Sequence, residues 1–363
     1  MRIQATAKTL ISRSATSVLK IFFETLVLFH HMYSPKTELG NFINGVIGPM
    51  GVAGFMLLSG FGVGVSFLKK GDGYLKSLTG KRIPRMYLTV VIADLFFLIQ
   101  FYLMGNSFPS FLALASSVLY LPIFSGSTIL SRWIYFMMDL AIYYVAFVIL
   151  MWLLRKREDR LKQAAFAMLG IEVIVILVLT AISNITGSHV QMRACVMFPI
   201  GLLAARYDKA IFKQVKRFKY LISAVCFSLA VFFCVYAYYH LMGEYVICGL
   251  FATSVIALFV GVEIKSRPLE VASEHVVYVY LSHEFFFKLL RHQMPNLGGN
   301  SIMFISVICS VAVAIAAYQI CKIKLKKMPP LLGQRKMLSL KVLLKDIAVK
   351  PSKKLKRAAS ATL

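Results

Sequence analysis

Apolar runs of about twenty residues recur almost from end to end of this chain, near 15 to 33, 46 to 68, 84 to 104, 111 to 125, 133 to 154, 162 to 182, 192 to 206, 219 to 239, 246 to 263, 271 to 290 and 301 to 323. A helix of that length matches the hydrocarbon thickness of a bilayer, about 30 Å. With 59% hydrophobic residues and a mean hydropathy of +0.74, no polar stretch is left that could enclose a soluble core. The longest polar stretches are the loop from Lys69 to Lys81, the basic stretch from Arg206 to Lys219 and the tail after Ile320. The fold class expected is all-α, a polytopic membrane helical bundle. It divides into a basic N-terminus (1–14), a membrane domain (15–323) and a basic tail (324–363).

Charge then counts the spans. In a soluble chain a net charge of +26 would suggest nucleic acid, but membrane proteins collect Lys and Arg in cytoplasmic loops, so the charge is read by position. If all eleven runs crossed, Arg155 to Arg157, Arg206 to Lys219, Lys265 to Arg267 and the tail would all face outward. Removing 111–125, which is short and carries Ser116, Ser117 and Pro122, returns every basic loop to the inside. The expectation is therefore about ten transmembrane helices, both termini cytoplasmic, with 111–125 re-entrant or interfacial. Residues 322 to 357 hold thirteen basic side chains against Asp346 alone, which suits anionic lipid headgroups and not nucleic acid. The six cysteines lie in apolar segments without metal-like spacing and read as core residues, so no metal site is expected. Arg2, Lys8 and Arg13 ahead of the first run resemble a signal-anchor more than a cleaved leader.

Within the spans, ionisable groups are costly and point to function. On a helical wheel Lys20, Glu24 and His31 fall within about 40° of one another, one polar stripe on the first helix. Lys20 and His31 are about 16 Å apart along it. Lys20 and Glu24 suit a buried i,i+4 ion pair; equally, His31 suits proton transfer near neutral pH. His30 points about 100° away. In the second helix Gly48, Gly51, Gly54, Ser59, Gly60, Gly62 and Gly64 fit either tight helix packing or close approach of a ligand. Arg82 and Arg85 flank Pro84 at the start of the third helix, where positive-inside charge or an anion site at a helix N-terminus would each account for them.

Together, Lys20-x10-His31 and Arg82-Ile-Pro-Arg85 resemble the motifs of the acyltransferase 3 family of integral-membrane acyltransferases. Phe55 to Phe61 is similar to that family's small-residue second helix. Trp133, Asp139 and Tyr143 resemble its Trp, acid and Tyr region, with Asp where Glu is usual, and Tyr278 to His283 resembles its penultimate helix. The likeness covers about residues 15 to 325. It implies transfer of an acyl group, usually acetyl, from cytoplasmic acyl-CoA as co-substrate, with no bound cofactor, to a hydroxyl of a surface polysaccharide, lipid-linked saccharide or related glycan. In that frame the protein is a multi-pass protein of a bacterial plasma membrane. His31, with Glu24, would be the base or a transient acyl carrier, and Lys20, Arg82 and Arg85 would hold the donor phosphates or line the acyl path. Ser59, Asp139, Arg193, Tyr280 and His283 would line the cavity; from the residues alone, His283 with Glu284 and Tyr280 reads either as a second polar cluster facing that cavity or as an interior hydrogen-bonded histidine. A lipid-linked saccharide flippase and a polysaccharide polymerase are the competing classes. Neither a Gly-x-Ser-x-Gly elbow nor a His-x4-Asp pair is present, which disfavours serine-hydrolase chemistry.

Overall fold

In the computed structural model the described residues are 10–32, 37–106, 109–111, 135–186, 196–240, 244–264 and 266–327. They form α1 (Arg13–Met32), α2 (Glu38–Lys70), α3 (Asp72–Ser77), a π-helical turn (Leu78–Arg82), α4 (Ile83–Leu103), α5 (Tyr135–Leu153), α6 (Arg160–Thr186), α7 (Met197–Arg206), α8 (Asp208–His240), α9 (Glu244–Leu258), α10 (Arg267–Gln293) and α11 (Gly299–Lys327). No strand occurs among the described residues. Of the segment 111–125 only Phe111 is described; Trp133, Arg193 and the tail beyond Lys327 also lie outside them.

Four helical runs, Gly40–Lys70, Asp72–Leu103, Asp208–Tyr236 and Gly299–Ala316, are long and apolar enough to cross a membrane. Lys20, Glu24 and paired histidines lower the apolarity of α1, and three acidic residues with several basic ones do so for α10. These two helices must therefore turn their charges towards protein rather than lipid.

Consecutive contacts close a ring: α1 packs on α2, α2 on α7, α7 on α6, α6 on α5, α5 on α4, α4 on α10, and α10 back on α1. Outside it, α8 and α9 pair and reach α2 through α9, while α11 backs α10. In the apolar window of α2, 72% of residues are buried inside the protein, against 11% for α8, so α2 is the hub and α8 is a lipid-facing wall. Phe227, Val231, Phe232 and Val235 of α8 point outward accordingly.

Lipid tails are as apolar as side chains, so helices in a membrane associate through close packing and interhelical hydrogen bonds. A Cβ at Gly54 would fall inside the ring of Phe23, and one at Gly60 would fall on the carbonyl of Phe198. These glycines let α1 and α7 press onto α2 from two sides. The small-residue stripe is thus a packing surface, not a ligand channel, at both positions. Ser223 and Ser254 bond α8 to α9 at 3.1 Å, and Ser273 bonds to Ser17 at 3.0 Å between α10 and α1.

Polar contacts sort the helix ends onto two faces. Arg160 pairs with Asp72 at 2.9 Å, Arg206 with Asp159 at 2.9 Å, the Leu10 amide donates to Asp208, the Gly261 amide donates to the Leu10 carbonyl at 3.3 Å, and Tyr318 donates to Glu274 at 2.5 Å. On the opposite face His30 joins Asn44, and the Gln293 amide donates to the Leu103 carbonyl at 3.2 Å. Helices therefore alternate in direction through the bundle.

Two readings of the polar segments change. Lys69 to Lys81 is not a loop: α2 stops at Gly71, whose φ of +55° suits glycine, and helix resumes at Asp72. Arg206 to Lys219 is mostly helical too, bent at Phe218 (φ −106°, ψ 16°), where the basic first part of α8 gives way to its apolar part.

Candidate active site

Along α1 the fully buried Leu19, Phe23 and Val27 recur every fourth residue, and Phe22 and Phe29 point out. The buried stripe carries Lys20, Glu24 and His31 into the interior, as the wheel requires. Two separate sites result, one at each end of the stripe.

At the first end Arg82 reaches inward from the π-helical turn. Its guanidinium lies 4.9 Å from the centre of the Tyr144 ring and donates to the Tyr74 hydroxyl at 3.0 Å. Tyr144, 1% exposed, is hydrogen-bonded to Ser59, so α2 and α5 meet here across the ring. Lys20 lies within electrostatic range of Arg82, Arg13 and Glu274, and Arg85 within range of Tyr318. The three cations expected at the donor site thus share one end of the bundle, and Ser59 is linked to them through Tyr144.

One part of the expected anion site fails. Residues 78–82 continue into α4 without a break, and the Ile83 amide donates back to the Leu78 carbonyl. The first-turn amides of α4 are therefore spent on the chain itself, and no open helix N-terminus faces a ligand at the arginines. Any anion here is held by side-chain charge.

At the second end His30 and Asn44 bond reciprocally. The His30 Nδ1–H donates to the Asn44 carbonyl at 2.6 Å, and the Asn44 side-chain amide donates to the His30 carbonyl at 3.1 Å. With His30 tied to α2, His31 turns to α10. Its ring centre is 5.1 Å from that of His283, and its Nδ1 is 4.0 Å from Glu284 Oε2. Glu284 Oε1 takes the Lys288 ammonium at 3.1 Å. His283 is 1% exposed and Glu284 5%. Neither His283 ring nitrogen has a well-formed hydrogen bond, only weak interactions with the Tyr280 and Val279 carbonyls. Rings continue inward from His283 through Tyr280 (5.9 Å) and Phe136 (5.6 Å) to Phe55 (5.5 Å).

The sequence-expected residues divide accordingly. Lys20, Arg82, Arg85 and Ser59 gather at one end, and His31, Tyr280 and His283 at the other. Asp139 is buried on α5. Glu24 is 4% exposed, and neither carboxylate oxygen has a hydrogen-bond partner among the described residues, so the Lys20–Glu24 ion pair does not form. Glu24 is also two turns, about 10.5 Å, from His31 along α1 and cannot bond to it. Tyr74, Tyr144 and Lys288 escape the sequence reading. Only Lys288 left a signal, its i,i+4 spacing from Glu284.

A family sequence model described as an acyltransferase domain matches residues 17–319, which spans all of these groups. Neither a curated protein nor a solved structure matches the chain. On that match, covering most of its length, the chain belongs to the acyltransferase 3 family and is an acyltransferase carried on membrane helices.

Proposed function

We propose that the protein is a multi-pass O-acyltransferase of a bacterial plasma membrane, moving an acyl group, most simply acetyl, from cytoplasmic acyl-CoA to a hydroxyl of a surface glycan or lipid-linked saccharide. The observation that carries this reading is the separation of charge along α1: cations gathered at one end and an imidazole pair buried at the other, joined by an interior lined with aromatic rings. Acyl-CoA is a molecule of that shape, with its phosphates at one end and a thioester on a long flexible arm. Arg82, Arg85 and Lys20 would take the phosphates through charge-assisted hydrogen bonds. His31 would take the proton of the attacking hydroxyl as general base. No separate cofactor is needed for a transfer between thioester and alcohol.

Sidedness follows from the same arrangement. The face that collects the ends of α2, α5, α7 and α9 also collects the basic loops, which supports placing it in the cytoplasm with both termini. The basic tail would then lie against anionic lipid. Membership of an acyltransferase family lends no support to the flippase and polymerase classes.

The test is acetyl transfer in inverted membrane vesicles that carry the full chain and the host's own glycans. Labelled acetyl-CoA supplied on the cytoplasmic side should place label in the glycan fraction, and alkaline treatment should release it as free acetate. Label that never leaves acetyl-CoA, whatever acyl length is tried, would rule the reading out.

A further inference from the structure

Glu24 cannot reach His31, so the site as expected from sequence lacks a carboxylate beside its base. We infer that Glu284 fills this place: held by Lys288 through one oxygen, it presents the other to His31 Nδ1 and acts as the positioning residue of the base. The inference rests on the reading of His31 as the base in acyl transfer.

Buried carboxylate oxygens are nearly always hydrogen-bonded, because leaving one bare forfeits its hydration without return. Glu284 Oε1 is satisfied by Lys288 at 3.1 Å; Oε2 has no hydrogen bond among the described residues and lies 4.0 Å from His31 Nδ1. Closing that gap takes about 1 Å of side-chain rotation, and such catalytic contacts are commonly long until substrate binds. Among the described residues, the charged and titratable groups seen to face His31 are His30 from α1 and His283, Glu284 and Lys288 from α10. Among these Glu284 alone can supply negative charge.

The chemistry requires that charge. The acceptor hydroxyl oxygen attacks the thioester carbonyl carbon while its proton passes to His31 Nε2. The carbon–sulfur bond then breaks, and the departing thiolate takes the proton back from Nε2, leaving an ester and a thiol. Between the two transfers the buried imidazole carries a full positive charge beside the Lys288 ammonium. A carboxylate accepting from Nδ1–H both fixes the tautomer that leaves Nε2 free and offsets that charge.

The same three side chains offer ligand atoms within 4.8 Å of one another, a spacing that could draw in a divalent cation. Lys288 argues against one, because an ammonium already occupies Glu284 and would repel it.

The experiment uses purified full-length protein in liposomes with acetyl-CoA and a glycan extract from the host. Glu284→Gln should lower kcat by about 100-fold or more with the donor KM within about 2-fold, and Glu284→Asp should recover activity to within about 10-fold of wild type. A Glu284→Gln variant keeping more than about a third of wild-type kcat would overturn the assignment. So would equal inactivity of the Gln and Asp variants, or stoichiometric zinc in the wild type that Glu284→Gln removes. If the wild type transfers nothing, it is the functional reading that fails, and the pairing is judged separately by nitrogen-15 spectra of labelled histidine. The His31 signal, identified by its loss in His31→Ala, should show Nδ1 protonated in wild type and not in Glu284→Ala; no difference between the two would sink the pairing.

Discussion

The two ends of α1 solve opposite problems with the same helix face. At the cationic end, on the proposed reading, Lys20, Arg82 and Arg85 would share the work of attracting one anion, and Arg82 is additionally propped by the ring of Tyr144 and the hydroxyl of Tyr74. At the imidazole end, on the same reading, a single ring would have to meet a single proton, and His283 and Glu284 are sealed beside it at 1% and 5% exposure. Long-range charge is additive and forgiving, whereas proton transfer needs one atom in one place. The contrast separates affinity from turnover.

The sharpest way to break it is at the imidazole end. His31→Ala is expected to lower kcat by about 10² to 10⁴-fold with little change in donor KM, measured by label transfer in liposomes. A loss confined to KM would erase the distinction between the ends. At the cationic end, Arg82→Ala and Arg85→Ala should each raise the acetyl-CoA KM by about 10-fold, the worth of one charge-assisted hydrogen bond, and added salt should weaken the wild type in the same sense. Turnover at saturating donor is expected to persist, and its collapse would mean that the arginines serve the chemistry directly.

A smaller effect tests the packing on which both ends depend. Gly54→Leu forces a side chain into the space held by the Phe23 ring and should destabilise the fold by about 1 to 3 kcal/mol, seen as a lowered melting midpoint in detergent. The smallest concerns an exposed pair at the ends of α6 and α7. The Arg206 guanidinium bonds both Asp159 oxygens, at 2.9 and 3.0 Å, and this hydrogen bonding holds the Asp159 carboxyl below its usual range. A depressed carboxylate contributes stability that is present above its unfolded value, about 4, and is lost as pH falls through the lower folded value. As a largely exposed pair it is worth at most about 1 kcal/mol, so Asp159→Asn should flatten the acid side of the stability curve slightly and leave kcat unchanged.

The helices were legible in the sequence because an apolar run long enough to cross a bilayer has few other outcomes, and the stripe on α1 because the helical period alone sets which residues share a face. Helical continuity through Lys81 and Arg82 was not: Gly71, Gly73, Gly80 and Pro84 are the usual marks of a loop, and only the backbone bonds of the π-helical turn reveal that the chain never opens there. The Lys20–Glu24 pair failed because sequence spacing permits an i,i+4 bond without compelling it, and the charges that act on Lys20 are Arg82 from the π-helical turn, Arg13 from its own helix and Glu274 from α10. His283 was recognisable from its segment, but its meeting with His31 depends on how α1 crosses α10, a relation between residues some 250 positions apart. The glycines of α2 could be read two ways from sequence, and Phe23 and Phe198 decide between them.

The reciprocal bonds between His30 and Asn44 give the less conspicuous histidine its meaning. A helix wedged among apolar neighbours resists a swivel about its own axis only through its packing, and a swivel of about 100° would bring His30 to the bearing that His31 now holds. Stitched at both its backbone carbonyl and its ring, His30 acts as an index pin. It sets the compass heading of α1, so that the residue after it faces α10.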